Sequence, residues 1–484
     1  MIITMYKSYI YLNNPNKLER IKEPVITKLM FYDVEIVPES LELYNENDES
    51  IPHQLVDQTI DSQGNLREAS IVYLVTMTKK QLALKYTLKS SSKISDKKIN
   101  LSGIKKLPPV QKDGFRRLDT GYYVLELCKG TADGTSYGKW GIRFFQEKVQ
   151  ELNLIKDYSN AIGGFYGPFF TPKNGLINPP EHTIVDITVE EEGPLYCRYR
   201  FDGTIPDGLD PNLKGKKFNI IWEFFYDTPW FRRKYNVDDF STIVDESPVV
   251  NKITVGDEFE SGQGNRVFNR FASYGETMYR EGDPYANILY DGVYKLLEEA
   301  TDSKNPKIKE YRESIGKELN EVSWDYFWKL FCVEAEILEE SEIKEHISEI
   351  IPESHDVVYN SDRYDNVKIK KDGVDVNAAP EQTIFAMNAD KTAEINDETG
   401  YAMVWYTSNV VPHYQIVQRN DSGWVNWGTN GENEYPELPT GSTIYSAYGK
   451  FEKWEDIADA MEKNIYSKQG KVINDKIEND FKQL

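Results

Sequence analysis

Hydrophobic and polar residues alternate along most of this chain, in short runs separated by polar turns. A period of two residues is typical of β-strands that bury one face. The pattern predicts a small N-terminal β-domain over residues 1–105, with strands at 9–12, 25–32, 41–44, 71–76 and 82–87. A stretch rich in Ser and Lys, residues 89–106, is the best candidate for a linker after this domain.

Longer alternating runs predict a large antiparallel β-sandwich in two parts. The first part spans residues 106–284, with strands at 122–127, 183–189, 195–201, 218–226 and 231–237. The second part spans residues 356–450, with strands at 382–387, 402–407, 414–418 and 443–448. Between the two parts, residues 285–355 carry apolar side chains at helical spacing, which predicts a helical insertion.

The last segment, residues 451–484, predicts a C-terminal helix and a charged tail, because Trp454, Ile457, Ala458 and Met461 recur at helical spacing. The predicted fold class is mainly β. It consists of a large antiparallel β-sandwich preceded by a small β-domain, with a helical insertion and a C-terminal helix.

Composition and charge restrict the class of partner. Aromatic residues make up 13% of the 484 residues, with 32 Tyr and 9 Trp, and this suits β-rich proteins with aromatic ligand surfaces. The formal net charge of -22 argues against a nucleic-acid partner, since no long basic stripe is available to replace phosphate counterions. A local cluster of Arg and Lys can still bind an acidic sugar.

The cysteines and the N-terminus indicate the compartment. Cys128, Cys197 and Cys332 are far apart in apolar or aromatic settings, which predicts buried free thiols and a reducing compartment. The first residues lack a signal-peptide pattern, and no run of 18 apolar residues predicts a membrane span. We therefore expect a cytoplasmic protein, or a secreted one if a leader has been removed. Whether it forms a homo-oligomer is left open.

An aromatic segment at residues 164–183 combines turn-formers with an Asn, a Glu and a His. Its prolines remove backbone donors, which predicts an irregular loop on the rim of a sheet. Exposed rings such as Phe165, Tyr166, Phe169 and Phe170 suit the apolar faces of sugars. The segment therefore predicts a carbohydrate site.

Two further loops have a similar composition. Residues 424–436 place Trp424 and Trp427 beside several Asn residues, the mixture of stacking faces and amides that sugar hydroxyls require. His413 lies in a neighbouring region rich in Trp, Asn and Gln, and is a candidate ligand contact. Residues 133–140 form a third loop, whose glycines do not make a phosphate-binding motif.

The order of segments resembles known carbohydrate-active enzymes. Residues 19–25, 51–54 and 69–74 look like the small β-domain that precedes a large sandwich in several of them. Residues 191–200 followed by 222–233 resemble the paired strands of the galactose-mutarotase-like supersandwich. That sandwich occurs in polysaccharide lyases and in the non-catalytic part of family 38 α-mannosidases. The resemblance implies a carbohydrate context and does not settle the reaction.

A lyase that acts on a uronate-containing oligo- or polysaccharide by β-elimination is the favoured hypothesis. This chemistry needs a group that neutralises the sugar carboxylate, a base for the proton on the adjacent carbon and an acid for the leaving oxygen. Asn178, Arg198 or Arg200 are predicted to neutralise, while His182 abstracts and Tyr166 donates the proton.

The alternative enzyme class is a glycoside hydrolase, which needs two carboxylates about 5–10 Å apart. Residues 255–265 offer Asp257, Glu258 and Glu260 in a predicted glycine-flanked loop, with Glu181 as partner. The same oxygens are a candidate Ca²⁺ site, although their spacing matches no EF-hand, and no other metal or cofactor is predicted. The third alternative is a non-catalytic sugar-binding or assembly protein.

Overall fold

The structure is a computed structural model. It describes the chain apart from residues 1–5, 33, 91–101, 167–178, 207–213, 238–239, 245–246, 263–267, 276, 281–366, 371–372, 378–381, 420–422, 430–435, 464, 471, 474–475 and 478–484. The predicted helical insertion and most of the predicted linker lie outside the described residues.

The N-terminal domain consists of two small antiparallel sheets that pack face to face. Its strands are β1 (Lys7–Asn13), β2 (Arg20–Met30), β3 (Leu41–Tyr44), β4 (Ser50–Ile51), β5 (His53–Ile60), β6 (Leu66–Met77) and β7 (Ala83–Ser90). One sheet contains β1, β7, β3 and β4, and the other contains β2, β6 and β5. Alternate residues such as Ile10, Leu29 and Ile71 are fully buried between the sheets, as the period of two predicts.

The large sandwich begins at β8 and contains most of the remaining strands. Its first part comprises β8 (Lys105–Leu107), β9 (Gly114–Asp119), β10 (Tyr123–Cys128), β11 (Gly141–Glu147), β12 (Ile162–Tyr166), the single helical turn α1 (Pro179–His182), β13 (Asp186–Glu192), β14 (Tyr196–Thr204), β15 (Lys217–Phe225) and β16 (Trp230–Val237). A separate two-stranded sheet follows, formed by β17 (Ser241–Val244) and β18 (Ser247–Val250). The sandwich then continues with β19 (Lys252–Glu260), β20 (Arg270–Ser273) and β21 (Thr277–Arg280). Its second part comprises β22 (Val367–Lys370), β23 (Gly373–Asn377), β24 (Gln382–Ile395), β25 (Tyr401–Arg419), β26 (Trp424–Gly428), β27 (Leu438–Pro439) and β28 (Thr443–Lys450).

The long strand β25 joins the two layers of this sandwich. Its first half pairs with β28, and the ladder continues through β16, β15, β14 and β13. Its second half pairs with β26, and that ladder continues through β19, β12, β11, β10, β9 and β8. The hydrophobic core lies between the two layers and includes Trp222, Phe231, Trp405 and Trp427. The fold class predicted from the sequence is confirmed.

The C-terminal part of the chain returns to the N-terminal domain. The amphipathic helix α2 (Trp454–Glu462), with Trp454, Ala458 and Met461 buried, is confirmed. It is followed by β29 (Tyr466–Gly470), β30 (Val472–Ile473) and β31 (Lys476–Ile477). β29 pairs antiparallel with β1, so the N-terminal sheet includes a strand from the predicted tail. The predicted domain boundaries stay predictions.

Three predicted loops contain regular structure, and these predictions were wrong in that respect. The aromatic segment begins in β12 and ends in α1, with residues 167–178 outside the described part. The acidic segment forms β19, and the Trp-rich segment begins with β26. The charged residues of β19 point to opposite faces, a pattern that local composition does not distinguish from a polar loop.

Cys128 and Cys197 are buried free thiols, as the sequence predicts, and Cys332 lies outside the described residues. Burial raises the pKa of the Cys128 thiol to about 12 and that of Cys197 to about 11, which keeps both protonated and unreactive at neutral pH. The described helices include none long and apolar enough to cross a membrane.

Candidate active site

A buried lysine gathers polar side chains from four parts of the large sandwich. Lys139 precedes β11, in the third loop named above, and its side chain is 4% exposed. Its Nζ contacts Glu258 Oε2 of β19, donates to Asn160 Oδ1 at 3.0 Å and lies 3.4 Å from Glu181 Oε1 of α1. Asn426 of β26 donates from Nδ2 to Glu258 Oε1 at 2.8 Å. We call these five residues the Lys139 cluster.

The pairing of β19 with β26 explains why two members of the cluster meet. Glu258 and Asn426 are direct cross-strand partners, and both point away from the sandwich core. α1 is held against this region because Trp140 N donates to Pro180 O at 3.2 Å and Gly134 N donates to Glu181 O at 2.9 Å. These backbone bonds place the Glu181 side chain over Lys139.

The backbone beside the cluster adopts unusual conformations. Asn160 has a φ of 71°, and Asp157 and Tyr158 also have positive φ values. Asn tolerates the left-handed region better than most residues, and Asn160 is fixed there by its N–H bond to Ser136 O at 2.9 Å. Strained backbone of this kind is frequent at functional sites.

The two glutamates of the cluster differ in exposure. The Glu258 side chain is 8% exposed, whereas that of Glu181 is 21% exposed and that of the adjacent His182 is open to solvent. His182 lies over Gly134, where a β-carbon would come within 3.2 Å of its Cε1. The cluster thus has an inner carboxylate and an outer one that solvent and ligand can reach.

The cluster has the geometry of a paired-carboxylate site. Both glutamates contact the same nitrogen, so Glu181 Oε1 and Glu258 Oε2 lie within about 6 Å of each other. Lys139 and Asn426 donate to the two oxygens of Glu258 and hold this carboxylate in place. The arrangement therefore places a fixed carboxylate beside a second, accessible one.

The structure places the other predicted site residues elsewhere or does not describe them. Arg198 binds Asp57 at 2.5 Å and Glu190 at 2.8 Å, while Arg200 binds Asp202 at 2.8 Å and Glu190. Within the described ranges, neither arginine contacts the Lys139 cluster. Tyr166 ends β12 and its side chain is not described, and Phe169 and Asn178 lie outside the described residues.

The remaining aromatic and histidine candidates have different surroundings. Trp427 is fully buried and stacks on Trp405, with ring centroids 4.9 Å apart, so it offers no face to a sugar, contrary to the prediction. Trp424 is half-buried and lies on the same strand face as Asn426. His413 Nδ1 lies 2.8 Å from Glu437 Oε1, and among the described residues no hydrogen bond or ion pair joins His413 to the Lys139 cluster.

Of the three acidic candidates in β19, one points into the core. Asp257 is fully buried, and both of its oxygens accept bonds from Arg233 Nη2, at 2.7 and 2.6 Å. It also accepts bonds from Trp405 Nε1 at 2.7 Å and from Gly163 N at 2.8 Å. The carboxylate is thus fully bonded and inaccessible to ligand, whereas Arg233 Nε and Nη1 have no hydrogen-bond partner among the described residues. Glu260 faces outward and accepts a bond from Ser159 Oγ at 3.3 Å.

A second buried carboxyl, Glu394 of β24, lies near this ion pair. It is fully buried, and neither of its oxygens has a hydrogen-bond partner among the described residues. Burial, together with the negative charge of Asp257, raises the pKa of Glu394 well above its usual range. Glu394 therefore keeps its proton to a higher pH in the folded protein than in the unfolded chain.

The raised pKa gives a pH-dependent stability. The unfolded chain ionises Glu394 above about pH 4.3, while the folded chain keeps the proton, so stability falls by about 1.4 kcal/mol per pH unit until the folded pKa is reached. Glu394→Gln removes this loss. We expect the variant to exceed the parent in free energy of unfolding at pH 7, with an advantage that shrinks towards pH 5.

Urea unfolding at pH 5, 6 and 7 measures this difference. Glu398→Gln, at an exposed position in the turn after β24, is the matched control and is expected to show no such pH trend. A constant difference between Glu394→Gln and the parent at all three pH values would contradict the assignment.

Several solved structures are similar to this chain over most of its length. An α-mannosidase from Enterococcus faecalis V583 is 8% identical with a TM-score of 0.44, covering 96% of this chain and 46% of that one. A family 38 glycosyl hydrolase from Enterococcus faecalis is 7% identical with a TM-score of 0.46, and the match covers 96% of this chain and 47% of that one. The galactose 1-epimerase from Lactobacillus acidophilus NCFM is 8% identical with a TM-score of 0.34, and the match covers 72% of this chain and 98% of that one.

These structures belong to the groups that the sequence resemblance named. This chain spans less than half the length of the two Enterococcus faecalis chains. No protein-family profile matches the sequence, and no curated protein matches it. Because the TM-scores are below 0.5, the likenesses carry no functional argument, and the function has to be inferred from the Lys139 cluster itself.

The sequence predicted part of the cluster and missed the rest. Glu181 and Glu258 were candidates, and Asn426 lay in a predicted sugar loop, but Lys139 and Asn160 carried no recognisable motif. The signal that was available is weak, because Lys139 is marked only by its place between a glycine-containing turn at residues 133–138 and the strand β11. Within the described part, no three His, Cys, Asp or Glu side chains gather as a metal site requires, and calcium binding stays a prediction.

Proposed function

We propose that this protein is a carbohydrate-active enzyme that hydrolyses glycosidic bonds with Glu181 and Glu258. The observation that carries the proposal is the contact of both glutamates with Lys139 Nζ. A carboxylate separation of about 5–5.5 Å is typical of glycosidases that retain the anomeric configuration, and the upper bound of about 6 Å is compatible with it.

The two glutamates have different roles in this proposal. Glu181, which solvent reaches, donates a proton to the leaving oxygen and later takes one from the attacking water. Glu258, held by Lys139 and Asn426, attacks the anomeric carbon as the leaving oxygen departs, and water then hydrolyses the glycosyl-enzyme ester to release Glu258 and the sugar. Lys139 is a positioning residue that orients both carboxylates.

The surroundings of the cluster support a sugar as substrate. Asn426 and the half-buried Trp424 lie two residues apart on one face of β26 and combine an amide with an aromatic surface. The last part of the predicted aromatic segment, α1, supplies Glu181 to the cluster. Exposed His182 adds a further polar group at the same edge.

β-Elimination on a uronate is the second candidate, because the exposed imidazole of His182 adjoins Glu181 at the edge of the cluster. An exposed imidazole is a suitable base for the proton next to a sugar carboxylate. The weakness of this candidate is that Arg198 and Arg200, the predicted neutralising groups, are already bound by carboxylates.

A two-channel assay separates these reactions. The purified protein is incubated with neutral and uronate-containing oligosaccharides, while reducing ends and near-ultraviolet absorbance are followed together. Hydrolysis releases reducing ends without new absorbance, whereas β-elimination forms an absorbing unsaturated uronate. We expect reducing ends alone.

Two outcomes would overturn the hydrolase. A rise in absorbance that is lost in His182→Ala would assign the lyase instead. If neither reducing ends nor absorbance increases while the protein still binds sugar, it is a non-catalytic sugar-binding protein.

A further inference from the structure

A basic cleft of about 630 Å³ opens in the N-terminal domain. It lies where β29, an edge strand of one sheet, meets β2, an edge strand of the other. Three lysines and two tyrosines contribute to its lining: Lys7, Lys28, Lys468, Tyr6 and Tyr32. Among the described residues, no Asp or Glu lines the cleft.

This charge distribution is unusual for a chain with a net charge of -22. In the part of the chain that the structure describes, Lys7 and Lys468 form no ion pair. Lys28 lies 3.7 Å from Glu68, but both side chains are largely exposed, and such pairs contribute little. The ammonium groups are therefore available to an external anion.

Hydrogen bonds between the walls fix the shape of the cleft. Gln469 of β29 accepts a bond from Met30 N at 2.8 Å and donates to Tyr6 OH at 3.0 Å. Thr27 Oγ1 donates to Ser467 Oγ at 2.8 Å. A preformed site loses less conformational entropy when a ligand binds.

Tyr32 adds an aromatic surface at the rim. It is 57% exposed, and the neighbouring Met30 is 38% exposed, so the cleft edge presents apolar area to solvent. An exposed ring beside cationic groups matches a ligand that has both an apolar face and a carboxylate, which is the chemistry of a uronic acid.

We propose that this cleft binds an acidic saccharide, with the lysines on uronate carboxylates and Tyr32 against a sugar ring. The cleft shares no residue with the Lys139 cluster, so it is a separate binding site and goes beyond the proposed hydrolysis. It would hold an anionic polysaccharide on a protein whose overall charge repels one.

Isothermal titration calorimetry with trigalacturonate and with neutral maltotriose tests the proposal. The protein titrated is the full chain carrying Glu181→Gln, so that hydrolysis does not consume the ligand during the measurement. We expect trigalacturonate to bind at low salt and to weaken at least tenfold in the double variant Lys28→Ala/Lys468→Ala, and also in Tyr32→Ala. Binding is expected to weaken with added salt.

The matched control is Lys17→Ala/Lys105→Ala, which removes two exposed lysines outside the cleft and is expected to leave affinity unchanged. Equal binding by the two double variants would overturn the proposal. So would binding of maltotriose, or of inorganic sulfate, as tight as that of trigalacturonate. Because these residues are separate from Glu181 and Glu258, failure here leaves the hydrolase proposal standing, and the reverse also holds.

Discussion

Glu181→Gln is expected to lower kcat/KM for glycoside hydrolysis by about 10²–10⁴-fold, because the amide keeps the shape of the side chain but cannot transfer a proton. Its midpoint of thermal unfolding is expected to stay close to that of the parent, since the side chain is 21% exposed. Steady-state kinetics on the substrate found in the two-channel assay, together with a thermal melt, measures both quantities.

Glu260→Gln is the matched control for this prediction. Glu260 lies two residues from Glu258 on the same face of β19, outside the Lys139 cluster, and changing it removes the same charge. We expect it to retain most of the activity. Equal losses in Glu181→Gln and Glu260→Gln would mean that net charge matters and that Glu181 has no specific role.

Arg233→Met is expected to lower the free energy of unfolding by about 3–5 kcal/mol, because it leaves the charge of Asp257 buried without a counter-ion. Both side chains are fully buried, so water cannot solvate the remaining carboxylate. The second change Asp257→Asn removes that charge and keeps an acceptor for Trp405 Nε1. The double variant is expected to recover part of the loss, as measured by urea unfolding.

Arg198→Met provides the comparison for an exposed pair. Arg198 is 21% exposed and its partner Asp57 is 47% exposed, so its loss is expected to cost less than about 1 kcal/mol. If Arg233→Met costs no more than Arg198→Met, Asp257 is not held as a buried charge in the folded protein.

The alternating pattern predicted the strands that bury one face. The structure has strands at the predicted positions where the period of two was clear. β1 and β14 are examples: Ile10 and Leu12, and then Cys197 and Tyr199, point into cores. This information is local, because each strand needs only its own residues to show which face is buried. The fold class followed from it.

β19 was missed because charged residues lie on both of its faces. The charge of Asp257 is compensated by Arg233, which lies 24 residues earlier and on another strand, and no local pattern reveals such a partner. The same limit applies to the candidate site. Glu181 and a window containing Glu258 were predicted, but their meeting at Lys139 depends on pairing between distant strands.

Trp427 illustrates the opposite error. Its neighbours in sequence are polar, and they indicated a sugar-binding loop. Strand β26 instead directs the indole into the core, where its Nε1 donates to Thr392 Oγ1 at 2.9 Å. A polar partner inside the core made burial of this ring favourable, and that partner is 35 residues away in the sequence.

The pairing of β29 with β1 affects how the protein is made. Tyr9 pairs with Gly470, so the sheet that contains β1 lacks an edge strand until the residues near 470 have been synthesised. Until then β1 presents unpaired backbone groups on one side, and exposed edges of this kind invite association with other chains. Completion of the small domain therefore has to wait until β29 has been synthesised, and a nascent chain stalled before residue 466 is expected to be a better substrate for chaperones than one that contains β29.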